Sequence, residues 1–272
     1  MDLIFDIVSR YCIAMKKYVD VHSHIAWDID DGIPSIAECE KALEIAAEDG
    51  IRMIASTPHL IPGWTDLAVI ENRQKQLKKV ARESGIEIRT GAELFMNRAS
   101  MDAIAKGMIR PYEGTNYQLC EYDVRRDLSE IEYADEPLYE MKVRGITPVI
   151  AHVERYFHKS IDLDVIEHWR DQGCIIQVNR TSLLARGNKI ARNNAWKVVD
   201  AGLADLVATD THRTSGPRIP VLSDVYEEIA ARNGERAARI LCIDNPAALL
   251  AGEPMKKVPV KVKKGFFSWL RK

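Results

Sequence analysis

The sequence Val19-Asp20-Val21-His22-Ser23-His24 decides how the rest of the chain is interpreted. Apolar residues at positions 19 and 21 alternate with polar ones, which predicts a buried β-strand. His22 and His24 lie two residues apart at its end, so both imidazoles project from the same face of the strand. Two histidines in this arrangement can hold a divalent metal ion, but a single His-x-His pair also occurs by chance. Support for a metal site must therefore come from other parts of the chain.

Length and composition predict one large α/β domain. The chain has 272 residues, of which 46% are hydrophobic, and a chain of this size can bury a complete core without disulfides. Its five cysteines are spread singly, which argues against a disulfide framework and against a cysteine zinc site. No apolar run is long enough for a transmembrane helix, and Asp2 and Asp6 stand where a secretory signal needs positive charge. We therefore expect a cytoplasmic protein.

Both ends of the chain are expected to lie outside this domain. Met15-Lys16-Lys17 resembles an ordinary translation start directly before the first strand, so we interpret residues 1–17 as an N-terminal extension and residues 18–254 as the domain. Residues 255–272 form a basic, aromatic tail with seven Lys/Arg and no acid, so the net charge of −2 divides into +7 for the tail and −9 for the rest. The negative net charge of residues 1–254 argues against nucleic-acid binding.

The tail combines these basic residues with Phe266, Phe267 and Trp269. Basic residues with interfacial aromatics favour peripheral contact with an anionic membrane surface. A tail that only increases solubility is the alternative.

Short apolar segments alternate with helical segments over most of the chain. We predict strands near 19–22, 53–57, 86–90, 117–120, 148–151, 175–178 and 206–209, and helices near 34–49, 67–84, 131–144, 162–172 and 193–201. This alternation predicts a parallel sheet covered by helices, and seven such units suit a closed or nearly closed barrel. In such barrels the active site lies at the carboxyl ends of the strands.

Each predicted strand ends at or just before a polar residue. These residues are His22, His24, Asp31, His59, Glu93, Glu121, His152, Asp210 and His212. Exposure to solvent at a strand end explains any one of them but not the whole set, and we expect the nine side chains to converge. Imidazoles and carboxylates suit Mn, Fe or Zn, and nine ligands exceed what one tetrahedral ion uses, so we predict more than one metal ion. His158 and His168 lie in loop or helical context and are expected on the surface.

The His-x-His start, the strand-end acids and the closing Asp-x-His resemble the PHP (polymerase and histidinol phosphatase) superfamily of metal-dependent phosphoesterases. More specifically, residues 18–250 resemble the bacterial manganese-dependent tyrosine-protein phosphatases of capsule and exopolysaccharide loci. The motifs that carry the resemblance are Val21-His22-Ser23-His24-Ile25, Asp30-Asp31-Gly32, Ser56-Thr57-Pro58-His59, Gly91-Ala92-Glu93, Ile150-Ala151-His152-Val153-Glu154-Arg155-Tyr156, Gln177-Val178-Asn179 and Thr209-Asp210-Thr211-His212.

The resemblance implies a distorted seven-stranded (β/α) barrel with three metal ions, most readily Mn²⁺, with Fe or Zn left open. By motif, the implied ligand sets are His22, His24, Glu93 and Asp210 for one ion, Glu93, Glu121 and His152 for a second, and Asp31, His59 and His212 for a third. Glu93 would then bridge two ions.

Two arginines are implied to contact phosphate. Arg155 matches the family's phosphate-contacting arginine, and the planar fork of a guanidinium suits phosphoryl oxygens. A second arginine usually lies in a Gly-Arg-x-Pro segment, whereas this chain has Gly216-Pro217-Arg218-Ile219-Pro220, with one residue inserted. Arg218 is the candidate for this role, and Arg213 is the alternative.

The implied activity is hydrolysis of phosphotyrosine, on a membrane-associated bacterial tyrosine autokinase that controls capsule or exopolysaccharide synthesis. Clustered cations suit this reaction because they lower the pKa of a water and hold both oxygens of an in-line displacement. Histidinol-phosphate or other small-phosphomonoester hydrolysis, a polymerase-associated nuclease and a non-catalytic metal-binding kinase regulator are the alternatives. The sequence leaves the number of subunits open, including a homo-oligomer.

A different phosphatase chemistry is also suggested by the sequence. The segments from Cys120 to Arg126 and from Cys174 to Arg180 match Cys-x5-Arg, the pattern of cysteine-dependent tyrosine phosphatases. That mechanism needs a glycine-rich loop that cradles phosphate at a helix N-terminus. Glu121 would repel the phosphate at the first segment, and the second segment is predicted as a strand. We therefore expect neither cysteine to be a nucleophile.

Overall fold

The computed structural model describes residues 17–184 and 188–260. The predicted N-terminal extension, apart from Lys17, and the aromatic part of the predicted tail lie outside these residues. The strands are β1 (Tyr18–Ser23), β2 (Ile51–Ser56), β3 (His59–Leu60), β4 (Glu87–Thr90), β5 (Glu93–Phe95), β6 (Tyr117–Glu121), β7 (Thr147–Ile150), β8 (Ile175–Asn179) and β9 (Leu206–Ala208). The helices are α1 (Ile36–Asp49), α2 (Leu67–Val80), α3 (Ser100–Ala105), α4 (Asp135–Val143), α5 (Leu163–Asp171), α6 (Arg180–Leu183), α7 (Lys189–Asp200), α8 (Ser223–Asn233), α9 (Glu235–Arg239) and α10 (Asn245–Ala251).

The prediction of parallel strands that alternate with helices is confirmed. All paired strands run parallel, in a three-stranded sheet of order β1-β2-β4 and a six-stranded sheet of order β3-β5-β6-β7-β8-β9. The structure has nine strands where seven were predicted. β3 and β5, which begin at His59 and Glu93, follow the predicted strands near 53–57 and 86–90 as separate short strands, and both join the larger sheet. Pro58 lies between β2 and β3, where its lack of an N–H removes a ladder hydrogen bond.

The two sheets do not form one closed ring of hydrogen-bonded strands within the described residues. An isolated bridge between Ser23 and Thr211 links the end of β1 to the segment after β9. The strands nevertheless share one apolar interior, which is formed by Val19, Val21, Ala55, Leu119, Val149, Ala151, Leu206 and Ala208 together with residues of α10. A larger apolar cluster lies between the strands and the surrounding helices. The arrangement therefore places all strand ends around a common centre.

Helix α1 shows how local sequence fixes an element. The Ser35 side chain accepts a hydrogen bond from the N–H of Glu38 at 3.3 Å, and this caps the first turn. Gly50 ends the helix with a φ of 95°, a left-handed conformation that glycine adopts without strain. Cys39, Leu43 and other residues at three- and four-residue spacing are buried against the strands.

Residues 255–260 contact the domain rather than leaving it. The Asn245 side chain makes two hydrogen bonds to the backbone of Lys256. Its Oδ1 accepts from the N–H of Lys256 at 2.7 Å, and its Nδ2 donates to the carbonyl of Lys256 at 3.0 Å. Val258 is buried in the larger apolar cluster. The domain boundary at residue 254 stays a prediction. Among the described helices, none is both long and apolar enough to span a bilayer.

Candidate metal centre

The strand ends bring all nine predicted metal-binding residues together. Their ligand atoms fall into four groups whose members lie within 4.8 Å of one another. The groups are His24, Asp31, His59 and His212; His22, Glu93 and His152; His22, His24 and Asp210; and His59, Glu93 and Glu121. Most of these side chains are buried, whereas Asp31 lies at the surface. Residues that are distant in the sequence therefore form one continuous cluster of imidazoles and carboxylates.

Glu93 lies in the middle of this cluster. Its Oε2 is 3.2 Å from a ring nitrogen of each of His22, His24 and His59. Its Oε1 is 3.2 Å from Nε2 of His152. Because both oxygens of this buried carboxylate have imidazoles beside them, Glu93 is placed where it can bridge two cations.

Besides Nδ1 of His152, three atoms of the cluster make no well-formed hydrogen bond within residues 17–184 and 188–260, although other members of the cluster lie close to them. They are Nδ1 of His59, Oε2 of Glu93 and Nε2 of His212, and all three are buried. Buried polar atoms in proteins are almost always hydrogen-bonded, so three such atoms in one cluster need an explanation. Coordination to metal ions satisfies them, and the mixture of imidazole and carboxylate donors fits divalent first-row metals. The residues present therefore fit a metal centre.

Neighbouring side chains orient the histidines. Nδ1 of His24 lies 2.7 Å from Oδ2 of Asp30. Nδ1 of His22 lies 3.1 Å from Oε1 of Gln177, which also accepts a hydrogen bond from the N–H of His152 at 3.0 Å. Holding Nδ1 in this way fixes the ring so that Nε2 faces the cluster, as is usual around metal-binding histidines.

Asp30 and Gln177 were not among the predicted site residues. Both lie in motifs that the sequence displays, Asp30-Asp31-Gly32 and Gln177-Val178-Asn179, but the motif does not show which member orients a ligand. Asp30 also accepts the N–H of Gly32 at 2.9 Å. Although burial raises the pKa of Asp30, the nearby His24 outweighs it and lowers this pKa to about 2.

Two ligand positions have unusual backbone conformations. His152 and Asp210 have φ angles of 32° and 54°, in the left-handed region that residues other than glycine seldom adopt. Such conformations persist only where surrounding contacts hold them, and they concentrate at functional sites. No signal in the sequence reveals them.

The two predicted arginines both reach Asp210. Nη2 of Arg218 lies 2.6 Å from Oδ1 of Asp210, and Nη1 of Arg155 lies 3.5 Å from Oδ2. The Asn179 side chain also donates to Oδ2, at 2.8 Å. Arg155 and Arg218 line a cavity of about 330 Å³ together with Glu93 and other residues of the cluster. Both arginines therefore lie beside the candidate metal centre and contact one of its predicted ligands.

Arg213 has a different role from Arg218. Its Nη1 donates to the backbone carbonyls of Asp31, Gly32 and His212, at 2.7, 2.7 and 2.6 Å. Arg213 thus ties together the two loops that carry Asp31 and His212. Of the two arginines that the sequence left open for phosphate contact, the geometry favours Arg218.

Electrostatics set the protonation of the cluster. Burial lowers the pKa of His22, but the charges of Glu93 and Asp210 outweigh burial and raise this pKa to about 9. Burial and the neighbouring His24 lower the pKa of His212 to about 4. Burial raises the pKa of Asp210, yet Arg218 and the histidines outweigh it and keep the pKa below its usual range. The cluster thus favours a proton on the imidazole of His22 and an ionised carboxylate at Asp210, and a metal ion bound at His22 would compete with that proton.

The two Cys-x5-Arg segments do not form phosphate-binding loops. Cys120 lies inside β6 and Cys174 directly precedes β8, and both are buried. Burial raises the pKa of the Cys174 thiol to about 12 and raises that of Cys120 as well. A reactive thiolate is disfavoured at both positions. His158 and His168 are exposed, as predicted.

The parallel strands converge on a cluster of histidines and carboxylates. This arrangement places the chain among β/α proteins built around a candidate metal centre. A profile of the family described as "Capsular polysaccharide synthesis, CpsB/CapC" matches residues 18–251, and the chain belongs to this family.

Named relatives agree with this assignment. The tyrosine-protein phosphatase CpsB of Streptococcus pneumoniae is 29% identical over 241 residues, which cover 85% of this chain and 98% of the relative. The tyrosine-protein phosphatase YwqE of Bacillus subtilis is 27% identical over 198 residues, covering 71% of this chain and 77% of the relative. A structure from work on YwqE and CpsB, described as "unique metal-dependent tyrosine phosphatases", superimposes with a TM-score of 0.78 at 24% identity, covering 90% of this chain and 100% of that one. It has the same fold.

Proposed function

We propose that the chain is a metal-dependent protein-tyrosine phosphatase that acts on a bacterial tyrosine autokinase in capsule or exopolysaccharide synthesis. The observation that carries this proposal is the convergence of nine imidazole and carboxylate side chains around Glu93, beside two arginines. The family and the names of its relatives support phosphotyrosine as the substrate.

We further propose three cations, with Mn²⁺ as the metal and Fe or Zn as substitutes. The proposed ligand sets are His22, His24, Glu93 and Asp210; Glu93, Glu121 and His152; and Asp31, His59 and His212. Distances support the third set, with His24 beside it, and the grouping of His22, His24 and Asp210 in the first. For the second set, Nε2 of His152 lies 3.2 Å from Glu93 and 3.6 Å from Glu121, while Glu121 also lies beside His59. Cations held there supply Lewis acidity and lower the pKa of water at the site.

The chain's own residues would bind and orient the phosphoryl group. Arg155 and Arg218 line the cavity, and a guanidinium offers two parallel N–H donors that match phosphoryl oxygens. Asp210 holds both arginines in place, and Asn179 holds Asp210. A phenolate leaves readily because the pKa of its phenol is about 10, so an aryl phosphate needs less help from a proton donor than an alkyl phosphate.

The remaining features of the proposal concern the whole chain. We propose that the two sheets are a distorted barrel of the PHP type formed by residues 18–254, flanked by the extension and the tail. A cytoplasmic location, membrane contact through the tail and a homo-oligomer stay predictions.

The test compares phosphotyrosine peptide with histidinol phosphate as substrates of the Mn²⁺-loaded chain. We expect faster turnover of phosphotyrosine, complete loss on chelation, and retained activity in Cys120→Ser and Cys174→Ser. Preference for histidinol phosphate would assign the site to a small-phosphomonoester hydrolase. Turnover of neither substrate, with kinase binding retained, would make the chain a metal-binding regulator and would refute the proposal.

A further inference from the structure

We propose that a second cavity, beside the candidate metal centre, binds the aromatic ring of the substrate, and that Phe157 and Ile190 form the walls that select aryl over alkyl phosphates. This inference rests on the proposed function and specifies how the same site recognises its substrate. We call this second cavity the aryl pocket.

The aryl pocket adjoins the space where the phosphoryl group is proposed to bind. It has a volume of about 500 Å³, and it shares Val124, Arg155 and Arg218 with the cavity of about 330 Å³ at the metal centre. Asp210, which both arginines contact, also lines it. A phosphoryl group bound by the two arginines therefore has the aryl pocket directly beside it.

The walls of the aryl pocket combine apolar and polar side chains. The apolar ones are Val124, Phe157, Ile190, Ala191 and Pro217, and the polar ones besides the two arginines and Asp210 are Glu154, His158, Thr181, Ser182 and Asn188. Ile190 is 39% exposed although it is a large aliphatic residue, and Phe157 is 9% exposed. Apolar side chains left in contact with a cavity bind an apolar ligand group favourably, and a phenylalanine ring adds edge or offset-stacked contacts to another ring.

The pocket walls are held in position by the fold. Ile190 is the second residue of α7, and its N–H donates to the Asn188 side chain, which caps this helix, at 2.8 Å. Phe157 follows the 3₁₀ turn Val153–Arg155, which positions one of the two arginines. The Phe157 carbonyl accepts a hydrogen bond from the buried Asn194 side chain at 3.1 Å.

A neighbouring cavity is excluded as the ring site by its position. Phe157 also lines a cavity of about 600 Å³, whose other residues include Asp127, Asp135 and Asp162. Neither of the two arginines lines this cavity, whereas both line the aryl pocket. The ring of an aryl phosphate held by Arg155 and Arg218 therefore adjoins the aryl pocket.

The experiment measures competitive inhibition of phosphotyrosine hydrolysis by phenylphosphonate and by methylphosphonate, which differ only in the ring. We expect the Mn²⁺-loaded wild-type chain to bind phenylphosphonate at least about tenfold more tightly. Phe157→Leu and Ile190→Ala should reduce this ratio about threefold to tenfold, with the inhibition constant of methylphosphonate unchanged. Val143→Ala, at an exposed position on α4, is the matched control and should keep the wild-type ratio.

Each outcome separates this inference from the function on which it rests. A wild-type chain that hydrolyses phosphotyrosine but binds both phosphonates equally would refute the aryl pocket alone. The aryl pocket is also refuted if both variants keep the wild-type ratio. It is refuted as well if both variants bind the two phosphonates more weakly by the same factor, because Phe157 and Ile190 would then only support the arginines. A wild-type chain that fails to hydrolyse phosphotyrosine would refute the proposed function itself.

Discussion

Nδ1 of His24 lies 2.7 Å from Oδ2 of Asp30, and the same carboxylate oxygen accepts a hydrogen bond from the N–H of His59 at 2.9 Å. One aspartate outside the predicted ligand set thus orients one predicted ligand and fixes the backbone of another. The candidate metal centre therefore depends on a residue outside the predicted ligand set.

Replacing Asp30 with Asn should weaken metal binding. The amide keeps the shape of the side chain but removes the charge that holds the His24 ring, and loss of such a contact weakens metal affinity about 10- to 100-fold. Calorimetric titration of the chelator-stripped chain with Mn²⁺ measures the effect.

Asp28→Asn is the matched control for this variant. Asp28 is exposed and has a φ of 56°, a conformation that asparagine tolerates well. Equal Mn²⁺ affinity in the Asp30→Asn and Asp28→Asn variants would show that Asp30 does not support the centre.

Arg218→Met and Arg213→Met should fail in different ways. Loss of Arg218 removes a charge from the proposed phosphate site, so kcat/KM for a phosphotyrosine peptide should fall about 100-fold or more even when the variant is saturated with Mn²⁺. Loss of Arg213 removes the hydrogen bonds that join the loops of Asp31 and His212, so the metal content should fall. Steady-state kinetics with metal analysis distinguish the two. An Arg213→Met chain with full metal content and lost activity would reverse the assignment.

A buried ion pair away from the metal centre should make stability depend on pH. Burial raises the pKa of Asp205 even though Nη1 of Arg170 lies 2.8 Å from it. Arg170→Met removes this cation, so the pKa of Asp205 should rise further, and the free energy of unfolding should fall by about 3 kcal/mol at neutral pH.

The sign of the pH effect follows from the raised pKa. Stability linked to a carboxyl of raised pKa is present at low pH and is lost as pH rises through that pKa. The deficit of Arg170→Met should therefore be larger near about pH 7.5 than near about pH 5, because the raised pKa of Asp205 favours proton uptake as the pH falls. Urea unfolding at both pH values measures it. A deficit that is the same at both would contradict this account, and Asp205→Asn/Arg170→Met is the variant expected to show no such dependence.

The sequence predicted which side chains converge better than it predicted the shape of the sheet. Histidines and carboxylates near strand ends are visible in the sequence, and parallel strands bring their ends together, so the convergence of all nine side chains could be predicted. At Pro58 the chain passes from the smaller sheet to the larger one. Which sheet a strand joins depends on its partner strands, and the alternation of apolar and helical segments does not reveal these.

The orientations of the polar side chains around the site were equally hidden in the sequence. Gln177 and Asn179 have the same polar character whether they face solvent or hold His22 and Asp210. Only the fold shows that Arg213 is bound to backbone carbonyls while Arg218 faces the cavity. The helices between residues 223 and 251 lie after the last predicted strand, where the repeating pattern had ended.

The most direct test of the metal centre is the number of Mn²⁺ ions that the purified chain retains after reconstitution and gel filtration, compared with Glu93→Gln. Since Glu93 contacts ligands of more than one set, we predict about three ions per wild-type chain and about one in the variant. A wild-type chain that retains one ion or none, or a variant that retains the wild-type number, would contradict the proposed centre.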